Sequence, residues 1–200
     1  MVTMAKFQDR AATSNTSDTF FVLNTHWDDK GVVARAESAK LIRARAASLA
    51  GSGNLVVLTG DLNSPATEKG YQILTGRRYS TAKDSDTKPA FCDSRHELVT
   101  AGRAGHGGGN GGRVSGARQH AAYGERHTFT GFVADAEPSL IDFIMPLDNS
   151  AFVSGTNASA SATPRWHVKR YGVLPNAFGG GRFRHRVSDH RLVVAALELV

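Results

Sequence analysis

The stretch Leu55-Val56-Val57-Leu58-Thr59-Gly60-Asp61-Leu62-Asn63-Ser64-Pro65 decides the fold. Its first five residues are aliphatic or β-branched, the composition of a buried strand. Gly60 ends that strand and lets the backbone turn. Asp61 and Asn63 then fall on the loop past its carboxyl end. Ser64 is the expected N-cap and Pro65 the expected first residue of a helix running to Leu74, with Gly76 as its left-handed stop. A strand, a polar loop and a helix start hold a carboxylate and an amide side by side. Asp and Asn are common turn residues in any case, so the chemistry has to come from the neighbouring segments.

Working outward, Thr19-Phe20-Phe21-Val22-Leu23 reads as a second strand, with Asn24-Thr25-His26 at its end. Residues 33–50 are good helix formers. Leu41, Ile42, Ala46 and Leu49 recur at helical spacing, and Arg35, Lys40, Arg43 and Arg45 are available for solvent. Gly51-Ser52-Gly53-Asn54 stops the helix. Strand, helix and strand with short connections predict a crossover between neighbouring parallel strands, hence an α/β or α+β class.

Two hundred residues suit one domain with a real core, and the apolar fraction is 40%. No run of about 18 apolar residues occurs, so no membrane-spanning helix is indicated. Residues 1–10 lack the apolar core of a signal peptide, which leaves the compartment undefined. Asn15-Thr16-Ser17 and Asn157-Ala158-Ser159 are glycosylation acceptors only in a secreted parent protein. Cys92 is the only cysteine, which excludes an intrachain disulfide and a cysteine metal cage. The formal charge of +6 favours anionic partners such as phosphoesters or nucleic acid, although the arginines are scattered.

Residues 101–116 are glycine-rich and read as a flexible surface loop. The G-x-G-x-x-G at Gly107, Gly109 and Gly112 has no strand before it and no helix after it, so it is not a dinucleotide site. Thr128-Phe129 follows. Ser139-Leu140-Ile141-Asp142-Phe143-Ile144-Met145 then reads as a strand with an acid inside it, and such an acid needs a partner or a metal. Trp166-His167-Val168-Lys169 is a short strand. Val187-Ser188-Asp189-His190 leads into a last strand, Arg191 to Leu199, apolar enough to be central.

Four polar clusters thus sit at strand ends: Asn24-Thr25-His26, Gly60-Asp61-Leu62-Asn63, Ile141-Asp142 and Ser188-Asp189-His190. Carboxylates of this kind suit Mg²⁺ or Mn²⁺, and His and Asn can donate to charge on phosphorus. In this order, the clusters and Thr128-Phe129 resemble the endonuclease/exonuclease/phosphatase superfamily, metal-dependent phosphoesterases with the DNase-I-like fold. Gly60-Asp61-Leu62-Asn63 matches its G-D-x-N motif. The resemblance implies a two-sheet β-sandwich flanked by helices and in-line attack of water on phosphorus with Mg²⁺ or Mn²⁺ bound. It implies that Asp61 orients or deprotonates the water and lies at the metal, and that Asn63 holds the phosphate. It implies that His190 contacts the phosphate while Asp142 fixes its tautomer. Asp189 would lie at the metal, and His26 would donate to the phosphate or leaving group.

The family pattern also has an upstream Asn-bearing strand and an upstream metal-binding Glu. Glu37 and Glu68 are the nearest acids, on predicted helices and in the wrong order. The expectation is a domain over 1–200 that lacks its N-terminal part, has one incomplete sheet and shows little activity alone. The substrate would be a phosphoester, small molecule or nucleic acid, with no sign of an oligomer. A DNA endonuclease or exonuclease and a non-catalytic interaction module are the alternatives. The inositol-phosphatase W-C-D-R-x-L signature, a G-x-S-x-G elbow and H-E-x-x-H are all absent.

Overall fold

A computed structural model describes residues 1–8, 19–51, 54–76, 90–95, 122–132, 136–148, 166–178 and 185–199. The glycine-rich stretch 101–116 lies outside them. The strands are β1 (Val2–Gln8), β2 (Thr19–His26), β3 (Leu55–Asp61), β4 (Ala122–Gly124), β5 (Asp142–Pro146), β6 (Trp166–Val173), β7 (Ala177–Phe178), β8 (His185–Arg186) and β9 (Val193–Leu199). The helices are α1 (Val32–Gly51) and α2 (Lys69–Thr75). One sheet has the order β1-β2-β3-β5 and another β4-β6-β9, with β7 and β8 as a short ribbon. β2 and β3 pair in parallel across α1, as the crossover predicts. Helices and two sheets together make an α+β architecture.

The two faces of the four-stranded sheet differ because side chains alternate along a strand. Leu23, Val56, Leu58, Phe143 and Met145 form one core with Ile42, Ala46 and Leu49 of α1 and Tyr71 and Leu74 of α2. The opposite face carries Phe20, which meets Trp166 of β6 edge-on at 5.9 Å, so this face looks at the second sheet. Val168, Tyr171 and Val173 form that sheet's own buried cluster.

Several sequence expectations shift. β2 does not stop at Leu23, because β3 keeps pairing with it as far as His26 opposite Asp61. β3 also runs through Gly60, at φ 134, to Asp61. A Cβ at Gly60 would lie 1.9 Å from the Thr25 carbonyl oxygen, so only glycine lets β2 and β3 stay paired there. Arg35 and Arg43 are buried and Leu41 is exposed. The Arg35 guanidinium is drawn inward by Glu68, which accepts from Nε at 2.7 Å and from Nη2 at 2.9 Å. α2 also starts later than expected. Glu68, and not Ser64, is its N-cap, while the buried Ser64 hydroxyl accepts from the Tyr71 N–H at 3.1 Å. Gly76 closes α2 in the left-handed conformation. β9 pairs with β6 alone among the described residues, so it is an edge strand there.

Candidate active site

The site begins with a row across three strands. His26 of β2 stands opposite Asp61 of β3, and Asp61 stands opposite Asp142 of β5. The alternation that sends Val56 and Leu58 to the helices sends Asp61 to the other face, toward the second sheet. His190 reaches this row from the segment before β9. Its Nδ1 lies 2.9 Å from Asp142 Oδ2 and its Nε2 lies 3.7 Å from Asp61 Oδ2. His26 Nε2 approaches the same Asp61 oxygen at 3.4 Å.

His190 and the segments around it are held by their surroundings. The His190 N–H donates to Ser188 Oγ, and its ring meets Phe129 edge-on at 5.1 Å. The Phe129 segment is stitched on both sides. The Thr130 N–H donates to the Asp189 carbonyl and the Arg191 N–H to the Thr128 carbonyl. Thr128 is fully buried, and its hydroxyl accepts from the Ile141 and Asp142 N–H groups at 3.1 and 3.0 Å, which sets the start of β5. Asn176 donates to the Ser188 carbonyl at 2.7 Å and to Thr130 Oγ1 at 2.9 Å. The sequence reading singled out Thr128-Phe129 only as part of the resemblance, and it missed Asn176. The Leu174-Pro175-Asn176 turn after β6 is the one local signal for it.

Asn63 takes a positive φ of 45°, and its N–H donates to Asp61 Oδ1 at 2.8 Å. Its side-chain amide donates to the Trp27 carbonyl at 2.9 Å, so part of its donor capacity is spent on holding the loop. The Trp27 N–H in turn donates to the Asp61 carbonyl. His26 is the loosest member, with its side chain 73% exposed against 14% for Asp61.

Burial pushes the Asp61 pKa up, the Asn63 N–H pulls it down, and the nearby Asp142 charge raises it further; the net shift is upward. Burial pulls His190 down, but the Asp142 hydrogen bond and the charges of Asp142, Asp61 and Asp189 raise it more. His190 is therefore held protonated to a higher pH than an ordinary imidazole. Asp61, Asp142 and His190 can each offer a ligand atom within 4.8 Å of the others, an arrangement able to hold a metal ion. Two carboxylates in repulsion beside one imidazole fit a hard divalent cation. Among the described residues neither Asp189 nor His26 joins that group. Asp189 acts on it through charge, and His26 borders it through Asp61.

No protein-family model and no curated protein matches the sequence. Solved structures do. An endonuclease/exonuclease/phosphatase from Bacteroides vulgatus superposes over 100% of this chain and 55% of its own, with 24% identity and a TM-score of 0.62. A mannosyl-6-phosphatase from Bacteroides thetaiotaomicron does so over 91% and 51%, with 26% identity and a TM-score of 0.57. An endonuclease/exonuclease/phosphatase family protein of the same organism does so over 90% and 49%, with 24% identity and a TM-score of 0.56. The chain spans about half the length of these proteins. It carries the DNase-I-like fold of the endonuclease/exonuclease/phosphatase superfamily of phosphoesterases.

Proposed function

We propose that the chain carries a phosphoester-hydrolysing site that works with Mg²⁺ or Mn²⁺. The observation that supports this most is the facing pair Asp61 and Asp142, with His190 bridging them. Three side chains from three separate segments converge on one gap, and their charges leave it short of a cation. Asp61 and Asp142 would hold the ion, with Asp189 adding negative charge nearby. A divalent ion bound there neutralises phosphate oxygens and acidifies water.

The remaining steps belong to the side chains. The Asp142 carboxylate faces His190 Nδ1, so that nitrogen carries a proton and Nε2 points at the gap beside Asp61. With its raised pKa, His190 donates from Nε2 to a phosphate oxygen. Asp61 Oδ2 orients a water and accepts its proton as the water oxygen bonds to phosphorus. The ester P–O bond opposite breaks and its oxygen takes a proton from solvent, while exposed His26, on the Asp61 side, donates to the phosphate. Asn63 donates to the phosphate with the amide proton that Trp27 leaves unused.

We also propose that turnover by these 200 residues is slow. The protein ligand set is then two acids, one of which, Asp142, is already engaged by the His190 ring. Such a set is a weak cage for a hard cation, which binds through carboxylate and water oxygens. The test is hydrolysis of bis-p-nitrophenyl phosphate. Slow release of nitrophenol that rises with Mn²⁺, stops with EDTA and falls by about 100-fold or more in His190→Ala is expected. Turnover indifferent to EDTA and to His190→Ala would refute the reading. Plasmid nicking with the same dependence would favour the nuclease alternative, for which the +6 charge is the supporting feature.

A further inference from the structure

His190 has a second neighbourhood, away from Asp61. It forms part of the wall of a hollow of about 610 Å³, together with Leu174, Pro175, Val187 and Leu192. The size is that of a small-molecule site. Val187 and Leu192 are 69% and 63% exposed at its margin, which is unusual for large aliphatic side chains that lie together.

The polar groups on this wall are mostly spoken for. The Asn176 amide donates to Ser188 and Thr130. Ser188 Oγ accepts from the His190 N–H. Arg191 donates from Nη1 to the His127 carbonyl and lies 3.5 Å from Glu125 through Nη2. Its buried Nε has no hydrogen-bond partner among the described residues. Among the described residues, a ligand in the hollow therefore meets mainly aliphatic surface. A polyhydroxylated sugar would find few partners on that wall for the hydroxyls it turns inward. An aryl or short alkyl group loses little and covers the exposed Val187 and Leu192.

Resting on the phosphoesterase reading above, we propose that this hollow takes the non-phosphate part of the substrate, and that this part is compact and apolar. His190 borders the hollow and also contacts Asp61 and Asp142; on this proposal one ester places its phosphate beside Asp61 and its organic group against Leu174, Val187 and Leu192. The preference would run opposite to that named for the mannosyl-6-phosphatase with the same fold.

The experiment is a ligand-observed NMR titration of the full chain in Mg²⁺ with inorganic phosphate, phenyl phosphate and mannose 6-phosphate. Phenyl phosphate should bind about tenfold or more tightly than mannose 6-phosphate. Leu192→Asp and Val187→Asp, both at exposed positions, should each remove most of that advantage while inorganic phosphate binds as before. Equal affinity for the two esters, or an advantage that survives both variants, would overturn the pocket assignment while leaving the phosphate site intact. Failure of inorganic phosphate itself to bind would instead overturn the phosphoesterase reading, and this proposal with it.

Discussion

Two charged assemblies are built into this molecule, and they are built differently. Arg35 and Glu68 join α1 to the start of α2. The guanidinium is 5% exposed, both its contacts to Glu68 are short, and Nη1 also donates to the Asp28 carbonyl. Charge is matched and the geometry is bidentate. Asp61, Asp142 and His190 sit at the opposite extreme. Two acids face each other with one imidazole between them, and the nearest contacts of Asp61 to either histidine are 3.4 and 3.7 Å. The first assembly is closed and leaves nothing for a ligand. The second has acceptors to spare and an open side. Partial burial without matched charge is how a binding site differs from a structural ion pair.

The largest effect should come from breaking the closed pair. Glu68→Ala leaves a buried, unpaired Arg35 and should cost about 3–5 kcal/mol in denaturant unfolding. A loss of less than about 1 kcal/mol would mean that the pair is no more than a surface bridge. Thr128→Val comes next. It strips the acceptor from two N–H groups at the start of β5 and should cost about 1–3 kcal/mol. It should also loosen Asp142, so that Asp142–His190 coupling weakens along with stability.

The open assembly should respond the other way. In EDTA, Asp61→Asn should leave stability unchanged or raise it by about 0.5–1 kcal/mol, and with Mn²⁺ present it should remove hydrolysis. The sign follows from the raised pKa. The folded state holds the Asp61 proton more tightly than the unfolded chain, so this group supports folding at low pH and that support fades as pH rises past its folded value. The gain from Asp61→Asn should therefore appear above the ordinary carboxylate range and vanish below it. The smallest signal is a titration. By NMR in EDTA, His190 should titrate above the usual imidazole range and move down in Asp142→Asn. An unchanged value would show that Asp142 does not hold the His190 proton.

The closed pair was illegible in the sequence, and the open one was not. Asp61, Asp142 and His190 each end or enter an apolar strand, so local pattern alone places them at sheet edges. Arg35 and Glu68 are 33 residues apart on segments that look solvent-facing, and nothing local marks their meeting. That meeting buried an arginine assigned to solvent. β2 overran its predicted end for a similar reason. Asn24, Thr25 and His26 look like a loop by type, yet the β3 register holds them as strand, with Thr59 Oγ1 donating to Asn24 Oδ1 at 3.0 Å. Long-range pairing outweighed local propensity there.

The central claim is that the open assembly exists to hold a divalent cation. Mn²⁺ titration followed by electron paramagnetic resonance tests it without requiring turnover. The account predicts saturable binding by the wild-type chain, weakened by about tenfold or more in Asp61→Asn and in Asp142→Asn. It predicts no change in Glu68→Gln, which alters the closed pair alone. Binding unaffected by Asp61→Asn and Asp142→Asn, or no binding at all by the wild-type chain, would contradict it.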